Sequence, residues 1–124
     1  MESKNPVRVL IVEDERVSRE ALGNLLSRFG YRVELAESAE DALAMIRRRL
    51  RPDVVLLDVD LPGMNGLELL AHLRETMPDV VSVLLTGADR ETVWPATSRG
   101  VPYLRKPIDF DRLLNVLGQR CGQS

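Results

Sequence analysis

The chain has 124 residues, 44% apolar and 29% charged, with a formal net charge of −2. At about 100–200 residues per domain this is a single domain, expected over 1–124 with its core at about 6–120. A net negative charge supplies no field to gather nucleic-acid phosphates, and no apolar run approaches the ~20 residues of a membrane span, so neither nucleic acid nor membrane is an expected partner.

The opening MESKNPVRVLIVEDE reaches an acid before any long apolar stretch, which is unlike a secretory signal. The lone Cys121 cannot form an internal disulfide. Both fit a cytoplasmic location. Val7 to Val12 reads as a strand, nearly continuous in apolar residues as a strand covered on both faces should be. Val17, Ala21, Leu25, Leu26 and Phe29 then recur at helical spacing, closed by Gly30. Arg32 to Leu35 is a short alternating strand suited to an edge. Ser38, with Asp41 three residues on, marks a helix start ahead of Ala39, Ala42, Leu43 and Ile46.

Val54 to Leu57 is the most apolar strand, and it ends in Asp58. Leu61-Pro62-Gly63-Met64 has Pro and Gly where a type II turn wants them. Gly66 to Thr76 is helical, with Leu67, Leu70, Ala71 and Leu73 on its apolar face. Val80 to Leu85 is a fourth strand, ending at Thr86-Gly87, and Tyr103 to Arg105 a fifth, ending at Lys106-Pro107. Phe110, Leu113, Leu114 and Leu117 form a last helix with Asp109 as its N-cap. Strands alternating with helices require crossovers, so the fold class is α/β: one parallel sheet with helices on both faces.

In an open parallel sheet, ligands bind beyond the carboxyl ends of the strands. Here those ends carry Glu13, Asp14 and Glu15, then Asp58 with Asp60 close by, then Thr86 and Gly87, then Lys106. Of 17 basic residues only Lys4 and Lys106 are lysines. Gathered carboxylates repel unless a cation neutralises them. An oxygen-only set without a His or Cys cluster points to a hard cation, Mg²⁺ by preference. With one ammonium opposite, such a rim suits a phosphoryl group, which Asp58 is placed to accept as an acyl phosphate.

The segments VLIVEDE, VVLLDVDLPGMNGLELL, VLLTG and YLRKPID resemble those of the receiver domain of the two-component response regulator family (CheY-like), over essentially the whole chain. The resemblance implies a flavodoxin-like five-stranded sheet in the order 2-1-3-4-5. It implies Asp58 as phosphoacceptor, and Mg²⁺ held by Glu13 (through water), Asp14, Asp58 and the backbone carbonyl of Asp60. Thr86 and Lys106 would contact the phosphoryl group, the Lys106-Pro107 bond would be cis, and Tyr103 would be an aromatic switch coupled to Thr86. The implied partners are a histidine kinase or phosphotransfer protein. Downstream, a protein partner or a second copy would meet the face of the fourth helix, fifth strand and fifth helix. Apart from its own phosphorylation and slow dephosphorylation, no enzymatic activity is implied.

One segment departs from the family pattern. Between Gly87 and Gly100, Pro95 predicts a fourth helix that is short, broken or begins near that proline. Trp94 there is either an interface anchor or a cover for the sheet edge. His72 reads as a solvated or half-buried residue, and the Arg47 to Arg51 run as a solvated face. Two other readings compete. A degenerate receiver would only bind a partner, which the intact acids, Thr86 and Lys106 argue against. Asp58-Val59-Asp60 also resembles the haloacid-dehalogenase phosphatases, but Pro62 breaks that pattern and Glu13-Asp14 would be idle.

Overall fold

Val54–Asp58 forms strand β3, buried at all five positions, and the sheet extends outward from it. The computed structural model describes residues 6–61, 66–87 and 100–120. β1 (Arg8–Val12) and β4 (Val81–Thr86) flank β3, with β2 (Arg32–Ala36) and β5 (Tyr103–Arg105) at the edges. All pairings are parallel and the order is 2-1-3-4-5, as the sequence implies.

Successive strand residues point to opposite faces, and both faces are covered. Leu10, Val12, Val55, Leu57 and Leu84 pack with Ala39, Ala42, Leu69 and Leu73 of α2 (Ala39–Arg47) and α3 (Gly66–Thr76). Val9, Ile11, Val54, Leu56, Val83 and Leu85 pack with Leu22 and Leu26 of α1 (Arg16–Arg28), and with Leu113 and Leu117 of the C-terminal helix Phe110–Arg120. Each of the Val, Leu and Ile side chains contributes about 1.5–3 kcal/mol on burial, which is why the apolar strand runs dictate a two-sided sheet.

The local signals act as their chemistry predicts. Ser38 accepts the Asp41 N–H at 3.0 Å and starts α2. Gly30, at φ +89°, ends α1 while the Tyr31 N–H donates to Leu26 O at 3.0 Å, a closure that needs a left-handed residue. Asp109 Oδ1 accepts the Arg112 N–H at 3.2 Å ahead of the last helix.

Two helix faces differ from expectation. α1 buries Leu22, Gly23 and Leu26, while Val17 and Phe29 are 75% and 59% exposed. The helix is turned so that Gly23 lies against β2, where an added Cβ would stand 3.3 Å from a Leu35 methyl. In α3 the inward residues are Leu69, Leu70 and Leu73, with Ala71 exposed. His72 is half-buried and the arginines of the 47–51 run are exposed, as expected. The Pro62-Gly63 turn, the Pro95 helix, Trp94 and Cys121 lie outside the described residues.

α3 begins in direct contact with β3. The Gly66 N–H donates to Val59 O at 3.1 Å. A Cβ on Gly66 would collide with Asp58 O and stand 2.8 Å from the Val59 Cα. Backbone cannot yield as a side-chain end does, so Gly66→Ala is expected to destabilise the fold by about 2–3 kcal/mol. Urea unfolding of the variant against the parent chain measures this, and an unchanged midpoint would refute it.

Candidate functional site

Three strand ends meet at one ammonium. At the end of β1, the Glu13 N–H continues the ladder to Ala36 O at 3.1 Å. The Glu13 side chain turns inward and is 1% exposed. Its Oε2 accepts the Glu15 N–H at 3.0 Å and its Oε1 accepts from Lys106 Nζ at 2.8 Å. At the end of β3, Asp58 is 3% exposed. Its Oδ1 accepts the Asp60 N–H at 2.9 Å and its Oδ2 accepts from Lys106 Nζ at 3.0 Å. Lys106 follows β5, and its own N–H donates to Thr86 O at 2.8 Å, which ties it to the end of β4. The Lys106-Pro107 peptide is cis.

Asp14 completes the cluster from the solvent side. Glu13, Asp14 and Asp58 each offer a carboxylate oxygen, all within 4.8 Å of one another. Three carboxylates facing one ammonium leave an excess of negative charge. Oxygen donors without nitrogen or sulfur fit a hard divalent cation, and Mg²⁺ matches that donor chemistry.

Burial pushes the Glu13 carboxyl above its ordinary value, against the lowering effects of the Lys106 and Glu15 hydrogen bonds. Burial pulls the Lys106 ammonium down, but its bonds to Glu13 and Asp58 more than offset this and leave it above its ordinary value. At neutral pH the lysine is therefore firmly charged.

The other expected site residues are placed as follows. Thr86 is fully buried at the end of β4. Tyr103 opens β5 opposite Leu84, half-buried against the α2–α3 side of the core. Because Leu84 and Thr86 are two apart on one strand, Thr86 and Tyr103 share a face of the sheet. Asp60 contributes its backbone N–H to Asp58, but its exposed carboxylate is not one of the three that converge. One contact had no sequence signal: Arg19 Nη1 donates to the backbone carbonyls of Glu13 at 2.9 Å and Asp14 at 3.4 Å. An arginine reaching main-chain oxygens leaves no pattern in side-chain types.

Comparison with known proteins agrees with this geometry. The family model described as the response regulator receiver domain matches residues 9–118. The chain is 42% identical over 111 residues to the response regulator MprA of Mycobacterium sp. (strain KMS), covering 88% of this chain and 48% of MprA. It is likewise 41% identical over 110 residues to MprA of Mycobacterium leprae, covering 87% of this chain and 48% of that protein. The chain thus spans about half the length of the curated relatives it matches. Among solved structures it is similar to the signal receiver domain of an HD domain-containing protein from Pseudomonas fluorescens Pf-5, with TM-score 0.87, 32% identity, and 94% and 95% of the two chains covered. It is also similar to the response regulator TrrA from Thermotoga maritima, solved in complex with Mg(2+)-BeF, with TM-score 0.80, 32% identity, and 92% and 98% covered.

The raised Glu13 value fixes a pH dependence. A carboxyl whose folded pKa lies above 4.5 contributes stability that is fully present below 4.5 and lost as pH rises through the raised value. Without divalent cation, Glu13→Gln is expected to escape this loss. The difference in melting temperature, variant minus parent, should therefore grow in the variant's favour as pH rises from 4.5 towards neutrality. Thermal unfolding at stepped pH in EDTA checks it, and a pH-independent difference would refute it.

Proposed function

Since the chain belongs to the response regulator receiver domain family, we propose that it is a phosphorylation switch in which Asp58 accepts the phosphoryl group. The observation that carries this reading is the convergence of Lys106 on Glu13 and Asp58, at 2.8 and 3.0 Å, beside the Asp14 carboxylate. Glu13, Asp14 and Asp58, with the Asp60 carbonyl, would hold Mg²⁺, which supplies charge neutralisation for the phosphoryl oxygens. An Asp58 carboxylate oxygen attacks phosphorus, the bond from phosphorus to the donor imidazole nitrogen breaks, and the imidazole leaves with that electron pair. Lys106 moves its ammonium from bridging two carboxylates to a phosphoryl oxygen, and the Thr86 hydroxyl donates to another. Arginine at position 106 is a poor substitute, because a planar fork replaces a compact point charge.

The donor's side of the site is apolar and open. Val17 and Phe110 are 75% and 42% exposed. With Ala21, Leu22, Pro107 and Ile108 they line a groove of about 520 Å³ whose walls include Glu13 and Lys106. A histidine-bearing helix of a kinase or phosphotransfer protein, laid in this groove, presents its imidazole to Asp58. Output follows from the shared face of Thr86 and Tyr103: a threonine hydroxyl drawn to the phosphoryl group vacates space into which the ring turns. That changes the surface of β5 and the C-terminal helix, where a protein partner or second copy would bind. Among the described residues no helix is long and apolar enough to cross a membrane.

Incubation with acetyl phosphate and Mg²⁺ is expected to add one labile phosphoryl mass to the parent chain. Asp58→Asn and an EDTA control should show none, and Lys106→Arg a labelling rate lower by at least about tenfold. Intact mass spectrometry reads all four arms. Labelling that survives Asp58→Asn would refute Asp58 as the acceptor, and a parent chain that neither labels nor binds Mg²⁺ would leave a module that acts by binding alone. Val17→Asp should retain acetyl phosphate labelling while slowing transfer from a phosphorylated histidine kinase. Equal slowing with both donors would refute the groove as the donor's seat.

A further inference from the structure

Arg19 lies one turn into α1, where its N–H donates to Glu15 O at 2.9 Å in the helix's first hydrogen bond. Its side chain runs back towards the cluster. Nη1 donates to Glu13 O at 2.9 Å and Asp14 O at 3.4 Å. Those two carbonyls belong to the two peptide groups that flank the Asp14 Cα. Holding both planes from one nitrogen restrains the backbone torsions of Asp14, and with them the direction of its Cα–Cβ bond.

That matters because Asp14 is supported differently from its neighbours. The Glu13 and Asp58 carboxylates are buried and anchored by Lys106 and by backbone N–H groups. The Asp14 carboxylate is exposed and, among the described residues, has no hydrogen-bond or ion-pair partner. Yet it is one of the three that converge. Among the described residues, only its main chain sets its aim.

We propose that Arg19 is a positioning residue of the cation site, holding the Glu13–Glu15 backbone so that the Asp14 carboxylate faces those of Glu13 and Asp58. This inference rests on the cation-binding part of the reading above. It also has a definite sign. A guanidinium near a cation site repels the ion, so removing the charge alone would tighten binding. Removing the grip on the two carbonyls weakens it, because the free loop must be ordered each time the ion binds.

The test is calorimetric titration of Mg²⁺ into the metal-free chain, its Arg19→Met variant and its Arg19→Lys variant. Met keeps most of the aliphatic stem and removes the donor. Lys keeps a single charged nitrogen. The Met variant is expected to bind Mg²⁺ about tenfold more weakly, the size of one charge-assisted hydrogen bond, and Lys to recover most of that loss. In metal-free protein the Met variant should also exchange the amides of Asp14 and Glu15 faster, while the amides of β3 stay protected, a readout that a general loss of stability would not give. Mg²⁺ binding by the Met variant as tight as the parent's, or tighter, would overturn the proposal. A parent chain with no saturable Mg²⁺ binding would instead overturn the cation-site reading itself.

Discussion

The ammonium of Lys106 is the constraint on which the carboxyl end of the sheet depends. It lies within hydrogen-bonding distance of Glu13 and Asp58, both almost wholly buried. Two buried carboxylates this close would be costly alone, since each loses hydration and each repels the other. One charged lysine opposes both penalties at once, though at Glu13 burial still outweighs it, and it does so from a strand two places removed from β3 in the sheet. The register that sets Leu84 against Tyr103 and Thr86 against Arg105 therefore also delivers Lys106 to the site. Fold and charge cluster are the same structure seen from two ends.

The arrangement leaves the cluster unbalanced by design of its parts. One ammonium charge does not neutralise three carboxylates, and among the described residues Asp14 stands outside the hydrogen bonds that hold the other two. Among the described residues of the cluster, it is the acid free to meet an incoming ion without first breaking a protein contact. Glu13 and Asp58 must instead share or surrender the lysine. Under the proposed reading, this division explains why a switch of this kind need not collapse without its cation: the ammonium substitutes for it, and is released when positive charge arrives from elsewhere.

Much of this was legible in the chain. The apolar runs at Val9–Val12 and Val54–Leu57 compel a two-sided parallel sheet, and such a sheet gathers whatever follows its strands. That places Glu13, Asp14, Asp58, Thr86 and Lys106 on one rim before any coordinates exist. The division of labour among the acids was not legible, because nothing in the pair Glu13-Asp14 says which turns inward. Nor was the phase of α1. Val17, Ala21 and Phe29 form an apolar stripe that overlaps that of Leu22 and Leu26, and the packing of the latter pair on the sheet, with Gly23 against Leu35, selects the second. The apolar residues left over are informative, since Val17 then borders the groove beside Lys106. Arg19 was invisible for another reason: its partners are carbonyl oxygens, which every residue has.

β5 is only three residues long, yet it joins the two functions the chain is proposed to combine. Tyr103 begins it and Lys106 follows it, so the aromatic ring and the ammonium are separated by a single pair of strand residues. The main chain is held at both ends, by Pro102 O accepting from Leu84 N–H at 3.0 Å and by the Lys106 N–H donating to Thr86 O at 2.8 Å. Thr86 is bonded to it through the backbone and lies on the same face of the sheet as Tyr103. Under the proposed reading, a rearrangement of charge around Asp58 reaches the sheet edge through the lysine and the threonine, which border the strand that Tyr103 opens. In that reading the carrier is a contiguous one, a single edge strand that holds both groups.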